Sequence, residues 1–358
     1  MLEASANSGP SPLVIAVPKR FIEDMTTRIG INGFGRMGRA LYRIIEEREL
    51  DVEVVAVNEL GPAATMAGLL ARDSVHGRFA PPITVGEGGL MIGDRWVRLF
   101  AERDPAALPW GDLGVSVVIE STGHFRTRDA AAAHLAGGAE RVVVSAPCKG
   151  ADATFVIGVN DETFDPANHR VVSNASCTTN CLVPMIKVLQ DRFGIEQGFM
   201  TTVHAYTGDQ ALVDGPHKDP RRARAAALNI VPTSTGAARA TSEVIEQMAG
   251  RLDGTALRVP VADGSITDLV VVLDRATTAK EVNAAFAEAA TGRLAGVLEY
   301  SVEPLVSSDI VGSPASCVFD SGLTMASGKL VKVFGWYDNE WGYANRLAEL
   351  ALLVGSHR

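Results

Sequence analysis

Three glycines in the stretch INGFGRMGRALYR, Gly33, Gly35 and Gly38, fall in the spacing G-x-G-x-x-G between the apolar run RIGI and a helical pattern. Such glycines belong to a strand-to-helix turn. Gly33 makes the tight turn, Gly35 lets the backbone approach a pyrophosphate, and Gly38 lets helix and strand pack closely. A second apolar run, VEVVAVN, ends at Glu59, twenty-one positions beyond Gly38. This βαβ unit reads as a dinucleotide site in which the helix N-terminus meets the phosphates. Glu59 would accept hydrogen bonds from a ribose hydroxyl, and its charge would repel a 2′-phosphate, which favours NAD over NADP. The competing reading is a structural glycine turn followed by a surface glutamate.

The alternation continues with the helical AATMAGLLA, the strand SVVIEST, the alanine-rich helix RDAAAAHLAGGA, and the strands RVVVSAP and TFVIGV. Strands separated by helices imply a parallel, doubly wound sheet. Beyond Cys177 the grammar changes. GFMTTVHAY, TALRVPVADGSITDLVVVL and KLVKVFGWY are long and β-rich, and ANRLAELALLVGSH is apolar at helical spacing. The expected fold class is α/β: a Rossmann-type doubly wound parallel sheet plus an α+β catalytic domain with a mixed or antiparallel sheet. Residues 1–27 read as a disordered leader, with either Met25 as the natural start or the leader dispensable, and 28–176 as the NAD-binding domain. Residues 177–338 form the catalytic domain, and 339–358 a C-terminal helix packing back on the NAD-binding domain. Two domains suit a chain of 358 residues.

Thirty-three Lys and Arg against 42 Asp and Glu give a net charge of -9, which disfavours a general nucleic-acid binder despite the local basic patch RRARAAALN. No apolar run approaches the roughly 20 residues of a membrane span. Four scattered cysteines, Cys148, Cys177, Cys181 and Cys317, make no disulfide framework and fit a reducing, cytoplasmic setting. No CxxC or HxxxH pair accompanies them, so no metal is expected.

The strand HRVVSN runs into Cys177, and Cys181, Leu182, Met185, Val188 and Leu189 follow at helical spacing. Cys177 therefore opens a helix, with Ser173, Asn174 or Ser176 as possible caps. A helix N-terminus lowers a thiol pKa and favours the nucleophilic thiolate. Cys181 lies one turn deeper and is expected to pack. His204 follows the apolar GFMTTV and opens the polar AYTGDQ, a strand end where catalytic residues are often displayed. A Cys177–His204 nucleophile and base stands beside two ordinary residues as the alternative.

SNASCTTNC, followed after 27 positions by His204, stands with INGFGRMGR, HKDPRRARAAALNIVPTSTGAA and WYDNEWGYANR in one order. The chain from about residue 28 to 355 thereby resembles the phosphorylating glyceraldehyde-3-phosphate dehydrogenase family. The resemblance implies oxidation of D-glyceraldehyde 3-phosphate with NAD and inorganic phosphate to 1,3-bisphosphoglycerate, by way of a Cys177 thiohemiacetal and thioester. His204 would serve as base. Backbone N–H of Cys177 and the His204 side chain would stabilise the oxyanion. Thr207 and Arg258 match the substrate-phosphate site, and Ser176, Thr178, Arg222, Thr235 and Gly236 the attacking-phosphate site. The turn Gly33, Phe34, Gly35, Arg36, Met37 and Gly38, with Glu59, Thr122, Gly123, Ser145, Asn339 and Tyr343, matches the cofactor contacts. The segment from about Asp214 to Ala238 resembles a loop that reaches a neighbouring subunit, which implies a homotetramer.

Several positions depart from the family's pattern. Glu59 stands where aspartate is usual, as in the related erythrose-4-phosphate dehydrogenases, which keeps that substrate as an alternative. Gly208 replaces a more usual asparagine, a change seen in relatives that use NADP, whereas Pro216 follows the NAD-type pattern. Gly215 and Pro220 replace leucines of the interface loop, and Arg72 stands where an aromatic is common. Two further classes are kept as alternatives: a Cys/His thiol hydrolase, which predicts no nicotinamide site, and a non-catalytic binding protein, which predicts loss of Cys177, His204 or Arg258.

Overall fold

A computed structural model describes residues 26–357. The expected leader falls outside these residues except for Thr26 and Thr27, and Thr27 already opens the first strand.

The first sheet has nine strands. Its parallel part runs Ala153–Thr154, Val171–Ser173, Arg141–Val144, Val117–Glu120, Thr27–Asn32, Val52–Asn58 and Arg95–Phe100. Val117–Glu120 and Arg141–Val144 are buried at every residue, as expected of parallel strands covered on both faces. The strand order reverses at Thr27–Asn32, which has Val52–Asn58 on one side and Val117–Glu120 on the other. Such a switch point opens a crevice at the carboxyl ends of the strands. Gly89–Ile92 and Ile83–Gly86 extend the edge antiparallel, a hairpin that the βαβ reading does not contain.

Two expected elements are shorter in the structure. Of TFVIGV only Thr154 belongs to a strand, Ala153–Thr154, and beyond it the Asn160 side chain accepts the Val156 N–H and donates to the Thr154 carbonyl, closing a turn. The alanine-rich helix divides into Arg128–Ala131 and Ala133–Ala136.

The second sheet is mixed and has eight strands. Ile195–Ala205 pairs parallel with Leu252–Val259 and antiparallel with Ser265–Leu273, which pairs antiparallel with Leu330–Tyr337. Alternating burial along Ser265–Leu273 directs one face inward. There Leu269, Val271, Val331 and Val333 share a core with Leu182, Met185, Ile186 and Leu189 of the helix Cys177–Phe193, and with Phe286 of Ala279–Thr291.

The helix Trp341–Gly355 leaves this sheet and joins the other core. Leu347, Leu350, Ala351 and Val354 pack with Ile29, Ile31, Val117 and Val143.

Candidate active site

At the switch point the first strand turns at Gly33, where φ is +93° and a Cβ would lie 2.6 Å from the Thr122 nitrogen. A Cβ on Gly38 would lie 2.4 Å from the Gly33 carbonyl oxygen, whereas one on Gly35 would meet no protein atom within 4 Å. The first and third glycines are thus demanded by the turn, and the second faces open space. Gly38→Ala is expected to lower stability by about 1–3 kcal/mol, since the obstructing atom is backbone and must shift; a thermal melt checks this.

The space before Gly35 is a cleft of about 430 Å³ lined in part by Asn32, Asn58, Glu59, Thr122 and Phe125. The helix Arg36–Glu47 begins there with no side-chain cap, leaving its first N–H groups for a ligand. Glu59 Oε2 accepts the Phe34 N–H and Oε1 the Leu60 N–H, both at 2.9 Å. The longer acid therefore reaches the glycine turn and braces it while lining the cleft. An open cradle, free helix donors and a carboxylate opposite them fit a dinucleotide. Arg36 turns its guanidinium to Asp73 and Glu340, so its part in the turn is its backbone N–H. Met37 is partly buried in the first helical turn.

Thr122 is held by a buried relay that motif reading misses. Trp110 Nε1–H donates to His134 Nδ1 at 3.0 Å, which fixes the proton on Nε2, and that N–H donates to Glu120 Oε2 at 3.0 Å. Glu120 Oε1 in turn accepts from the Thr122 N–H and hydroxyl. Gly123 follows with φ of +74°, and Ser145 follows the end of the next parallel strand.

Asn339 is buried just beyond Leu330–Tyr337, and its Oδ1 accepts the Ser265 hydroxyl at 2.6 Å. Tyr343, buried on the last helix, donates its hydroxyl to the Ala175 carbonyl at 3.3 Å. Around Asn339 the two domains meet through charge. Arg36 holds Asp73 and Glu340, and His76 lies 3.3 Å from Glu340 and 3.7 Å from Asp263. Burial, with Asp338 and Glu340 adding to it, pushes the Asp263 carboxyl up to about 8.

Between the strand Val171–Ser173 and the next helix, Ala175 takes φ of +55°, an uncommon value for a residue with a Cβ, and the chain turns sharply into Cys177. Ser176 is the N-cap, its Oγ accepting the Thr179 N–H at 3.1 Å. Cys177 Sγ lies 3.4 Å from His204 Nε2. His204 Nδ1 is 2.7 Å from the Ala205 carbonyl, which can only accept, and 3.2 Å from Arg258 Nη1, which can only donate; the shorter contact favours the proton on Nδ1, which leaves the Nε2 lone pair facing sulfur.

Burial pushes the Cys177 thiol up to about 11, against the opposing pull of Arg258 and the N–H groups of Thr178 and Cys177 itself. Burial, with Arg258 adding to it, lowers His204 to about 3. The helix N-terminus alone therefore does not make a resting thiolate, because desolvation outweighs it. Burial thus works against the helix N-terminus at this sulfur, and burial together with Arg258 favours the neutral form of the His204 imidazole.

Arg258 Nη1 donates to the Ala205 carbonyl and to Thr207 Oγ1, both at 3.2 Å. In the same pocket, Arg222 Nε donates to Thr233 Oγ1 at 2.9 Å and its Nη1 pairs with Asp209. Thr235 Oγ1 accepts the Ala237 N–H at 3.2 Å, and Gly236 caps the helix Ala237–Val244 without a side chain. Ser176, Thr178, Arg222, Thr235, Gly236 and Arg258 line one pocket of about 200 Å³ with Cys177 and His204. Thr207 adjoins it through Arg258.

Tyr337 belongs to this site although no motif singled it out. Its hydroxyl lies 2.9 Å from Thr178 Oγ1 and 2.8 Å from Thr202 Oγ1, and its ring meets His204 edge-on with centroids 5.9 Å apart. Its one advance signal is its place at a strand end, like that of His204.

The family model described as glyceraldehyde 3-phosphate dehydrogenase, NAD binding domain, matches residues 27–128, and that of the C-terminal domain matches 176–339. Glyceraldehyde-3-phosphate dehydrogenase 2 of Streptomyces arenae is 60% identical over 332 residues, covering 93% of this chain and 99% of the relative. Glyceraldehyde-3-phosphate dehydrogenase 1 of Streptomyces avermitilis is 60% identical over 331 residues, 92% of this chain and 99% of its own. The Mycobacterium bovis glyceraldehyde-3-phosphate dehydrogenase is 55% identical over 337 residues, again 92% and 99%. With both halves of the site matched and nearly the whole of each relative covered, the chain belongs to the glyceraldehyde-3-phosphate dehydrogenase family.

Proposed function

We propose that this protein oxidises D-glyceraldehyde 3-phosphate, with NAD and inorganic phosphate, to 1,3-bisphosphoglycerate. The observation that carries the reading is the Cys177–His204 contact at 3.4 Å inside a pocket that Arg222 and Arg258 both line. Sγ attacks the aldehyde carbon as its proton passes to His204 Nε2, whose lone pair already faces it. The carbonyl oxygen, protonated in turn, becomes the hydroxyl of a thiohemiacetal. NAD, held by the glycine turn and Glu59, would supply the hydride acceptor for that carbon. His204 takes the hydroxyl proton as the carbonyl re-forms, leaving a thioester on Cys177. A phosphate oxygen then attacks the acyl carbon, the C–S bond breaks, and sulfur regains a proton.

Within this reading Thr207 and Arg258 hold the substrate's phosphate. Ser176, Thr178, Arg222, Thr235 and Gly236 hold the attacking one, since guanidinium and hydroxyl donors suit phosphate oxygens. Gly33, Phe34, Gly35, Arg36, Met37, Gly38, Glu59, Thr122, Gly123 and Ser145 bind the cofactor, with Asn339 and Tyr343 at its nicotinamide end. We also propose a homotetramer. Leu212, Val213, Leu228 and Ile230 are 80%, 72%, 83% and 67% exposed in the segment that resembles the family's interface loop, and apolar surface of that kind supports burial by a neighbour. No helix among the described residues is long and apolar enough to cross a membrane, and all four cysteines are free, which supports a reducing cytoplasmic setting.

The test is reduced-nicotinamide absorbance with NAD or NADP, with and without phosphate, and with erythrose 4-phosphate as rival substrate. Sustained NAD reduction that requires phosphate and prefers the triose is expected. Turnover indifferent to phosphate, or a preference for the tetrose, would sink the assignment of the two phosphate subsites.

A further inference from the structure

Ser265 opens the strand Ser265–Leu273 and is 1% exposed. Its Oγ lies 3.1 Å from the Ala205 nitrogen and 2.6 Å from Asn339 Oδ1. We propose that Ser265 is a positioning residue that sets which end of the Asn339 side-chain amide is offered to the cofactor.

The inference follows from counting protons. The Ala205 N–H can only donate, so it takes a lone pair of the serine oxygen. The hydroxyl has one proton left to place. With Asn339 turned oxygen-first, that proton has an acceptor. With the amide reversed, the serine would receive a second N–H while its own proton faced no acceptor in a buried site, an arrangement that structures strongly avoid. Asn339 is thereby held with Oδ1 toward Ser265, and its NH₂ is the end left to recognise a ligand.

The surroundings make that torsion the one left to set. Ser265 is paired with Tyr337 in the sheet register, two residues before Asn339. Asp338 Oδ1 accepts the N–H groups of Glu340 and Trp341, which fixes the backbone on the far side. Ala205, the other partner of Ser265, directly follows His204. A single hydroxyl thus joins the strand bearing the proposed base to the residue proposed to orient the nicotinamide ring. An amide held as a donor selects a ring substituent that accepts, such as the carboxamide carbonyl, and disfavours one that only donates.

This inference rests on the proposed role of Asn339, and the experiment separates the two. Binding of NAD and of 3-aminopyridine adenine dinucleotide, whose ring carries a donor in place of the carbonyl, is measured by calorimetry on the whole protein. Wild type, Ser265→Ala, Ser265→Cys and Asn339→Ala are compared. Ser265→Cys keeps the volume while weakening the hydrogen bond, and serves if the alanine variant folds poorly. The preference for NAD over the amine analogue is expected to fall roughly tenfold in both Ser265 variants, because the freed amide can turn its oxygen outward. A merely structural lesion would weaken both ligands alike and leave the ratio intact. A ratio that collapses in Asn339→Ala but holds in the Ser265 variants overturns the proposal while leaving Asn339 its role. A ratio unchanged in Asn339→Ala removes the role itself.

Discussion

Cys177→Ser is expected to lower kcat by about 10⁴-fold or more while leaving NAD affinity near that of the wild type. The oxygen nucleophile would sit in the same recess beside the same imidazole, so geometry is retained and chemistry is changed. A hydroxyl is far harder to deprotonate than a thiol, and the acyl group it would carry is an ester, a poorer donor to phosphate than a thioester. The cofactor cleft is lined by Gly33, Gly35, Glu59 and Thr122 among others, and Cys177 is not part of that lining. Rapid-mixing measurement of reduced nicotinamide, with intact-mass detection of an acyl adduct, checks the prediction. A serine variant that turns over within tenfold of wild type would show that Cys177 is not the acyl carrier.

His204→Asn is expected to reduce kcat by about 10²–10⁴-fold and to change how the remaining rate responds to pH. In the wild type the lowered His204 stays neutral across the physiological range and can receive the thiol proton without first losing its own. Without it, Cys177 must ionise to solvent from a value pushed up to about 11. The thiolate fraction then rises about tenfold per pH unit below that value, and alkylation of Cys177 by iodoacetamide should rise with it between neutral pH and pH 9. The wild-type turnover profile should be shallower, because His204 Nε2 takes the proton as the C–S bond forms rather than before it. Parallel profiles in the two proteins would remove His204 from the proton path.

The parts of this molecule that were legible in the sequence are those whose physics is local. Gly33, Gly35, Gly38 and Glu59 declare themselves because a turn, its helix and the next strand end lie within one βαβ unit. Cys177 declares itself as the start of a helix for the same reason. The partnership of Cys177 with His204 was open on the residues alone and came from the family resemblance. Its direct contact joins the start of the helix Cys177–Phe193 to the end of the strand Ile195–Ala205, which no spacing rule brings together. The sign of the thiol's shift was not legible, since helix position is local and desolvation is not. Tyr337, Asp209, Ser265 and the Trp110–His134–Glu120 relay stayed hidden because each works through partners distant in sequence, where no spacing rule reaches. TFVIGV looked like a full strand because its composition is β-rich, and the Asn160 side chain, a few residues on, turned it instead.

The helix Trp341–Gly355 closes the core around Ile29, Ile31, Val117 and Val143 although it follows the whole of the second sheet in sequence. On a ribosome this reverses the usual order in which the amino-terminal unit finishes first. The strands that carry the glycine turn must wait, with part of their apolar face uncovered, until residue 355 has been made. The second sheet waits nearly as long, since its strand Leu330–Tyr337 precedes that helix by only a few residues. The cofactor cleft is thus among the first parts of the chain to be translated and among the last to be secured.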